Sequence, residues 1–207
     1  MGLDTKLECF SQTTIPLEWG EFDVRVYKDP NDQSEVFVVS QGRVSHTDDP
    51  IFVRIHSECL TGEVFHSLKC DCREQLQAAM DDIAKAGQGL LIYLRQEGRG
   101  IGLGQKIRAY ELQKHGHDTV TANLALGFEE DSRSFTFACD ILKSLGLKNI
   151  KINTNNPEKI IALESEGFHI VERVPSAVSP QKHNISYLQT KKQKLGHQLD
   201  LEAGEKT

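Results

Sequence analysis

Apolar and polar residues alternate in short runs along the first part of the chain, which is the pattern of β-strands. Phe22, Val24 and Val26 lie two residues apart, and residues 36–39 form a second, more continuous apolar run. A period of two places every second side chain on the same face of a sheet, so each run can bury one face. We therefore predict antiparallel strands in this region and a further strand over residues 51–55.

Further along, apolar residues recur at steps of three and four, which is the spacing of an amphipathic helix. Leu76, Ala79, Met80 and Ile83 share one face of a predicted helix over residues 74–85. The other predicted elements are strands over residues 89–94, 148–153 and 168–174, and helices over residues 101–114, 121–126, 134–145, 157–166 and 187–199. Strands and helices that alternate in this way favour an α/β fold. We expect a mixed, largely parallel sheet covered by helices, with an antiparallel region of strands at the N-terminus.

Length and composition are those of a globular protein with one sizeable core, since 38% of the 207 residues are hydrophobic and 26% are charged. The sequence contains no internal repeat and no low-complexity linker. We expect a single domain over residues 1–207, with an ordered core over residues 15–198. A polar, proline-containing loop is predicted over residues 176–184 and a flexible tail over residues 202–207.

The sequence has no apolar run that approaches the roughly 18 residues of a membrane span, and its first residues do not read as a secretory signal. We therefore expect a cytoplasmic protein with no membrane partner. The formal net charge of −6 argues against a nucleic-acid binder, which needs a basic face. Residues 95–108 differ, because three arginines and one lysine there accompany a single acid, Glu97. A cationic segment of this kind suits a small polyanion such as a nucleotide.

Three of the five cysteines, Cys59, Cys70 and Cys72, lie close together in the sequence. A reducing cytoplasm disfavours disulfides, and an odd number of cysteines leaves one unpaired, so the cluster indicates metal binding or catalysis. Cys70 and Cys72 point the same way if the chain is extended, and Cys59 can join them across a loop of ten residues. Three thiolates suit zinc and leave one tetrahedral position for water, as in a catalytic site.

Two alternatives to catalytic zinc stay open at this point. The cysteines could instead pack as small apolar residues, which describes Cys139 well because its neighbours are apolar. It describes Cys70 and Cys72 poorly, because their neighbours are charged and a single residue separates the two thiols. A histidine, His56 or His66, could also complete a closed, structural zinc site.

Residues 95–104 read RQEGRGIGLG and lie between a predicted strand and a predicted helix. Glycines allow the backbone to approach a phosphate closely, a helix N-terminus offers free N–H groups, and arginines bind phosphate oxygens in pairs. The run is not a Walker loop, since no Gly-Lys-Ser/Thr follows it. An ordinary solvated turn is the alternative interpretation.

Seven segments resemble the GTP cyclohydrolase II family, whose reaction opens riboflavin biosynthesis. In chain order they are RIHSECLTG, SLKCDC, YLRQEGRGIGL, KIRAYELQ, GFEEDSRSF, NTNNPEK and IVERVP. The resemblance covers about residues 15–198. It implies hydrolysis of GTP with release of formate and pyrophosphate, which leaves 2,5-diamino-6-(ribosylamino)pyrimidin-4-one 5'-phosphate. It also implies one Zn²⁺ per subunit, Mg²⁺ with the triphosphate, and a homodimer of a monofunctional form.

The resemblance also assigns site residues. Cys59, Cys70 and Cys72 match the zinc ligands, and Tyr110, Asp131 and Arg133 match the catalytic positions. The positions that match GTP contacts are Arg54, Ile55, His56, Ser57, Glu58, Gln75, Glu97, Gly98, Arg99, Thr119, Thr154 and Lys159. Four of its positions depart from the family pattern, namely Arg73, Glu74, Gly104 and Gln105.

Chemistry suggests a role for each catalytic position. Zinc-bound hydroxide would attack C8 of guanine, Tyr110 would hydrogen-bond charge that develops on the ring, and Asp131 would act as a general base. The family is described with Arg133 as a nucleophile on the α-phosphate, although a guanidinium rarely loses its proton. The alternative is that Arg133 only neutralises phosphate charge.

Without the resemblance, the same residues have simpler interpretations. Tyr110 would be a core aromatic, Thr119 a helix cap and Thr154 part of a turn, and Asp131 and Arg133 would lie in a solvated loop. Two other functions also fit the sequence. The chain could open the GTP ring for another pathway or stop at the formamide, or it could be a non-catalytic, zinc-stabilised nucleotide sensor.

Overall fold

The structure is a computed structural model, and it describes residues 7–176 and 184–199. The strands of this part of the chain are β1 (Ser11–Leu17), β2 (Gly20–Lys28), β3 (Glu35–Gln41), β4 (Ile51–Ser57), β5 (Gly89–Leu94), β6 (Asn149–Asn153) and β7 (His169–Val174). They form one seven-stranded sheet in the order β1-β2-β3-β5-β4-β6-β7. The predicted loop over residues 176–184 and the tail over residues 202–207 lie largely or wholly outside the described residues.

The sheet has an antiparallel half and a parallel half. Strands β1, β2, β3 and β5 pair antiparallel, whereas β5, β4, β6 and β7 pair parallel. This arrangement confirms the predicted mixed sheet with an antiparallel N-terminal region. Because parallel strands all end at the same edge, the residues that follow β4, β5 and β6 are brought together there.

The helices of the described chain are α1 (Leu60–Glu63), α2 (Cys72–Ala86), α3 (Leu103–Lys114), α4 (Thr119–Ala125), α5 (Thr136–Ser144), α6 (Pro157–Ser165) and α7 (Ile185–Lys194). A 3₁₀ turn, Glu97–Gly100, precedes α3. Helix α3 begins two residues later than predicted, since Gly102 has a φ of 85° that no helix accommodates. Helix α7 ends five residues before the predicted position, and Gly196 beyond it has a left-handed φ of 64°.

Two elements were not predicted, and both lack the periodic signal. The residues of β1 are mostly exposed, so its sequence SQTTIPL shows little alternation of apolar and polar residues. Helix α1 has four residues, which is too short for a periodic pattern.

Hydrophobic residues are buried on both faces of the sheet. On one face, Ile92 and Ile152 pack with Ile141 of α5 and Leu163 of α6, and Cys139 is fully buried there as an apolar residue, as predicted. On the other face, the predicted apolar side of α2, which is Ala79, Met80 and Ile83, packs against the antiparallel strands. None of the helices in the described part of the chain has the length and apolar character that crossing a membrane requires.

Candidate active site

The three predicted thiols meet at the carboxyl edge of the sheet. Cys59 follows β4 and caps α1, while Cys70 and Cys72 lie at the start of α2. Their Sγ atoms are all within 4.8 Å of one another, and those of Cys59 and Cys70 are 3.6 Å apart. Gly62 allows this convergence, because a Cβ there would lie 3.0 Å from the Cys70 sulfur. This group of sulfur donors could hold a metal ion, and soft thiolates are consistent with zinc.

Histidine does not complete this group within the described chain. His56 points its Nε2 at Glu63, with 2.8 Å between Nε2 and Oε1. Glu63 also accepts a hydrogen bond from the Cys59 backbone N–H at 3.0 Å and one from the Tyr93 hydroxyl. His66 is exposed. Neither ring belongs to the donors that lie within 4.8 Å of one another, so the three thiols leave a coordination position for water or substrate.

Lys106 connects the thiols to the glycine run. Its ammonium lies 3.2 Å from the Cys59 sulfur and 2.7 Å from Glu97 Oε1. The Glu97 carboxylate also accepts hydrogen bonds from the backbone N–H groups of Leu60 and Gly98, both at 2.7 Å. Burial disfavours the charged form of Lys106, but the hydrogen bond to Glu97 and the neighbouring Tyr110 and Cys59 together outweigh burial, so the pKa of Lys106 is raised. Glu97 therefore braces the site, and its predicted contact with GTP stays a prediction.

The thiols influence one another's protonation. Hydrogen bonds from Cys70 and Cys72, together with the nearby Lys106 ammonium, lower the pKa of the Cys59 thiol. The thiolate that results at Cys59 raises the pKa of Cys70 to about 11. A bound cation would remove this competition, because it favours the thiolate form of all three cysteines.

The glycine run packs directly on the loop that carries Asp131 and Arg133. Gly98 and Arg99 have left-handed φ angles of 64° and 63°, and the Arg99 carbonyl accepts a hydrogen bond from the Ser132 N–H at 3.1 Å. A Cβ at Gly100 would lie 3.0 Å from the Ser132 carbonyl oxygen. The glycine run thus precedes helix α3, as predicted. A strained 3₁₀ turn lies between the two, and the loop of residues 131–133 packs against this turn.

Asp131 and Arg133 form a bidentate ion pair. Arg133 Nε donates to Asp131 Oδ1 at 2.8 Å, Nη2 donates to Oδ2, and the Arg133 backbone N–H also donates to Oδ1 at 3.1 Å. Burial opposes both charges, but the pairing prevails, so the pKa of Arg133 is raised and the pKa of Asp131 is lowered. The pair is mostly buried, which excludes the solvated loop that the sequence left as an alternative.

Two cavities lie next to each other at this edge. The first, the thiol cavity, has a volume of about 90 Å³ and is lined by the three cysteines, Tyr110 and the glycine run. The second, the cation cavity, has a volume of about 80 Å³ and is lined by Arg54, Arg99, Arg133 and Lys159 among others. Ser57, Cys72, Arg99, Arg133 and Tyr187 line both.

Buried cations dominate the cation cavity. Lys159 donates to the Ile55 carbonyl at 2.7 Å and has no carboxylate partner among the described residues. Burial and the neighbouring Arg54 and Arg133 guanidinium groups hold the pKa of Lys159 well below its usual value. Burial also lowers the pKa of Arg54 to about 10, even though Asp71 opposes the shift. Such a cavity attracts an anion.

Arg54 is held by residues from three parts of the chain. Its Nη1 donates to the Asn153 carbonyl at 3.1 Å and to Ser176 Oγ at 2.9 Å, and its Nη2 donates to Gln75 Oε1 at 2.7 Å. Arg54 Nε, Ser57 Oγ and Arg99 Nη2 are buried, and none of the three has a hydrogen-bond partner within the described residues. Orphaned donors of this kind are rare in folded proteins, so they mark a place for a ligand.

Comparison with known proteins agrees with this geometry. A sequence model of GTP cyclohydrolase II matches residues 8–175. The chain belongs to this family. It is 46% identical over 194 residues to GTP cyclohydrolase-2 of Haemophilus influenzae, an alignment that covers 94% of this chain and 90% of that protein. It is 48% identical over 193 residues to GTP cyclohydrolase-2 of Histophilus somni, with 93% and 89% covered. It is 50% identical over 198 residues to the riboflavin biosynthesis protein RibBA of Bacillus subtilis, and this alignment covers 96% of this chain and 50% of that protein.

Most residues that the family resemblance assigns do line the two cavities. The thiol cavity is lined by Ser57, Glu58, Cys59, Cys70, Cys72, Glu97, Gly98, Arg99, Tyr110, Thr119 and Arg133. The cation cavity is lined by Arg54, His56, Ser57, Cys72, Gln75, Arg99, Arg133, Thr154 and Lys159. Ile55 differs, because its side chain is fully buried in the core and only its carbonyl reaches Lys159. Asp131 lines neither cavity and reaches the site through Arg133.

The structure corrects one of the two simpler interpretations of helix caps and confirms the other, in which Thr154 belongs to a turn before a cap. Asp118, and not Thr119, caps α4, and it does so in a capping box with Thr121. Thr154 Oγ1 accepts a hydrogen bond from the Asn156 N–H at 3.0 Å, and Asn156 in turn caps α6. Thr119 is therefore free of a capping role at the rim of the thiol cavity.

Among the cavity-lining residues that were not predicted as site residues, four have ionisable side chains. Lys106 is one of them, although its charge was noted, and the others are Tyr187, Lys191 and His197 from the C-terminal segment. Their only sequence signal is the position of Tyr187 and Lys191 four residues apart on a predicted helix. Two of the departures from the family pattern form an ion pair between part-buried side chains, in which Arg73 Nη2 lies 3.0 Å from Glu74 Oε1. A third, Gly104, faces open space.

A larger groove of about 510 Å³ lies elsewhere, between α2 and the antiparallel strands. Its walls are mainly apolar, with Trp19, Phe37, Met80 and Leu91 among the lining residues. The groove contains none of the three thiols and neither Arg133 nor Lys159. Glu58 is the residue that lines both this groove and the thiol cavity.

Proposed function

We propose that this protein is a zinc-dependent hydrolase of GTP that opens the guanine imidazole ring, releases formate and pyrophosphate, and so performs the first step of riboflavin biosynthesis. Its product would be 2,5-diamino-6-(ribosylamino)pyrimidin-4-one 5'-phosphate. One observation carries the proposal: a cluster of three thiols that could hold a metal ion adjoins a cavity lined by several cationic side chains, and the two share Arg99 and Arg133. A ligand with a reactive ring at one end and a polyphosphate at the other fits that arrangement. Membership of the GTP cyclohydrolase II family supports GTP as this ligand.

Cys59, Cys70 and Cys72 would hold one zinc ion at the ring end of the site. When bound, zinc supplies the Lewis acidity that activates water for hydrolysis near neutral pH. Lys106 and Glu97 act on the protein side, because their ion pair fixes the position of Cys59 relative to the glycine run. Mg²⁺ would accompany the triphosphate.

Tyr110 would serve as a hydrogen-bond donor to the ring. Tyr110 is one of the residues that line the thiol cavity, and burial raises the pKa of Tyr110 despite the nearby Lys106. A tyrosine with a raised pKa keeps its proton at neutral pH, so it can donate to charge that develops on the substrate. The ammonium groups of Lys69 and Lys106 lie 4.9 and 5.7 Å from the centroid of the Tyr110 ring, so they add positive charge beside this tyrosine.

Arg133 would act as a clamp for the phosphates, and Asp131 would orient it. A nucleophilic Arg133 must lose its proton, yet pairing with Asp131 raises its pKa further. The bidentate pair leaves the guanidinium charged and aimed at both cavities. We therefore favour charge neutralisation over covalent attack, and proton transfer by Asp131 would require this pair to break.

The deciding experiment incubates the purified protein with GTP and Mg²⁺ and measures formate and pyrophosphate. Equal release of both products is the expected result. Release of pyrophosphate without formate would instead identify an enzyme that stops at the formamide. Release of neither product would support a non-catalytic nucleotide sensor. The same assay run with the protein dialysed against a zinc chelator, and then resupplied with zinc, should show loss and recovery of formate release.

Single-domain organisation, a homodimer and a cytoplasmic setting complete the proposal. They rest on the composition and on the family, and size-exclusion chromatography coupled to light scattering would measure the oligomeric state directly.

A further inference from the structure

Helix α7 covers the site, although it lies beyond residues 8–175 that the family model matches. Tyr187 lines both cavities, and Lys191, Leu195 and His197 line the cation cavity. None of these residues is among the positions that the family resemblance assigns to zinc, GTP or catalysis. The segment is therefore a part of the site that still needs a role.

Lys191 is a buried cation at the boundary of the cation cavity. Its side chain is 11% exposed, and its ammonium lies 3.2 Å from Asp71 Oδ1 and 4.5 Å from the centroid of the Tyr187 ring. Asp71 also accepts a hydrogen bond from Gln75. Lys191 thus shares one carboxylate with another donor, and it faces a cavity that already contains several other cations.

The charges of the cation cavity do not balance within the described residues. Asp71 pairs with Lys191 and Asp131 pairs with Arg133, whereas Arg54 and Arg99 have no carboxylate within 4.0 Å. Lys159 also lacks such a partner, and burial and its cationic neighbours disfavour its charged form by lowering its pKa. Uncompensated buried cations are costly, so a cavity of this composition is stable mainly when it receives an anion. Burial, and after it the neighbouring cations, lowers the pKa of His197 to about 3.

Hydrogen-bond donors in the cavity are also unsatisfied. Arg99 Nη2 and Arg54 Nε, both buried and both on residues that line the cation cavity, have no partner among the described residues. An anion with several oxygens would satisfy both. This observation is independent of the charge count and leads to the same ligand class.

The available space indicates that α7 changes position when a nucleotide binds. The two cavities measure about 90 and 80 Å³, whereas pockets for ligands of this size measure roughly 300–1,000 Å³. Besides its buried residues Leu188 and Lys191, the helix and the residues after it make outer contacts, including two with Asp118 and Asn155. Lys194 pairs with Asp118 at a part-exposed position, and the Gln198 N–H donates to the Asn155 carbonyl at 3.0 Å.

We propose that α7 is a substrate-binding element that closes over the polyphosphate of the nucleotide, and that Lys191 binds this polyphosphate directly. The proposal rests on the proposed function for the identity of the nucleotide, but the binding of a polyphosphate can be measured without ring opening. Failure of the formate assay and failure of this inference are therefore separate results.

The test measures the affinity for magnesium tripolyphosphate by isothermal titration calorimetry, with zinc content determined before and after. Lys191→Met keeps the apolar stem and removes the charge, and Lys192→Met is the matched control because Lys192 is exposed on the same helix. A lost charge-assisted hydrogen bond should weaken binding by about tenfold or more. Lys191→Arg should restore the affinity to within about threefold of the unaltered protein. The KM for GTP should rise in parallel in Lys191→Met, with a smaller change in kcat.

A merely structural role of Lys191 gives a different result. In that case Lys191→Met would lower the thermal midpoint and the zinc content while the tripolyphosphate affinity of the folded fraction stayed within twofold, and the inference would be wrong. If Lys191→Met does not fold, hydrogen exchange on the unaltered protein decides. Tripolyphosphate should slow amide exchange in α7, and unchanged exchange there would overturn the proposal.

Discussion

Arg133 and the three cysteines show how single residues set the chemistry of the two cavities. Arg133 is fixed by both oxygens of Asp131, so it can present a charged and oriented guanidinium to both cavities. The cysteines converge because Gly62 permits α1 to lie against their sulfur atoms. The orientation of Arg133 and the convergence of the three thiols therefore depend on contacts that a single substitution can remove.

Replacement of Arg133 by lysine keeps the charge but removes the bidentate contact with Asp131 and with phosphate. We expect pyrophosphate release to fall by about 10- to 100-fold, since a charge-assisted hydrogen bond contributes roughly 1.5–3 kcal/mol. Steady-state release of pyrophosphate measures this, and Arg108→Lys on the exposed face of α3 is the control. Near-normal release by Arg133→Lys would exclude any role that is specific to the guanidinium.

Replacement of Cys70 by serine removes one of the three sulfur donors. We expect the bound zinc to fall to a small fraction of one ion per chain and formate release to be lost, while far-ultraviolet circular dichroism stays unchanged. Cys9→Ser is the control, because Cys9 lies outside the cluster. Retention of zinc and of formate release in Cys70→Ser would contradict the assignment, whereas unfolding would indicate a structural ion.

The elements around the site are arranged by backbone constraints. The glycine run crosses so close to the 131–133 loop that a side chain at Gly100 would meet the Ser132 carbonyl at 3.0 Å, and its φ of 89° is unfavourable for other residues. The sequence predicted the run and the following helix, but not the left-handed turn, because glycine spacing gives no dihedral angles. Helix α2 was predicted accurately, since its apolar face repeats at helical steps and Gly87 ends it.

Replacement of Gly100 by alanine should separate the glycine run from the loop that carries Arg133. We expect a loss of about 1–3 kcal/mol in the free energy of unfolding, measured by urea denaturation, and a higher KM for GTP. Gly104→Ala is the matched control, because a Cβ there meets nothing within 4 Å and alanine favours a helix. Equal stability of the two variants would show that the close contact is not important.

The whole molecule combines a largely apolar core with a polar carboxyl edge where buried charges collect. Asp71 and Lys191 are 120 positions apart in sequence, yet their ion pair closes one side of the site. Several of these buried groups have shifted pKa values, so the stability of the folded protein depends on pH.

Acid should destabilise the protein in two stages. Burial lowers the pKa of His56 to about 4 and that of His197 to about 3, whereas an unfolded histidine has a pKa of about 6.5. Between these values the unfolded chain binds the proton and the folded chain does not, so stability is full above about pH 6.5 and falls as the pH falls towards 4. The contribution of His56 to the slope of the unfolding free energy against pH approaches roughly 1.4 kcal/mol per pH unit. The lowered pKa values of Asp71 and Asp131 add a second loss only at lower pH.

Urea denaturation at pH values between 7 and 4 measures this dependence. His56→Gln should reduce the slope in the upper part of the range, and His115→Gln on the exposed end of α3 should not. An identical slope in His56→Gln would show that another group takes up the proton.

The sequence by itself determined the strands and helices with clear periodicity, the three thiols and the cationic glycine run, because these signals are local. It also determined the family, since seven segments in order leave little room for coincidence. Only the tertiary structure decided that Glu97 is a brace, that Asp131 reaches the site through Arg133, and that Lys191 of α7 faces the cation cavity. The physical reason is that these contacts join residues far apart in sequence. Their partners are selected by how the sheet and helices pack, and no local pattern of residues encodes that choice.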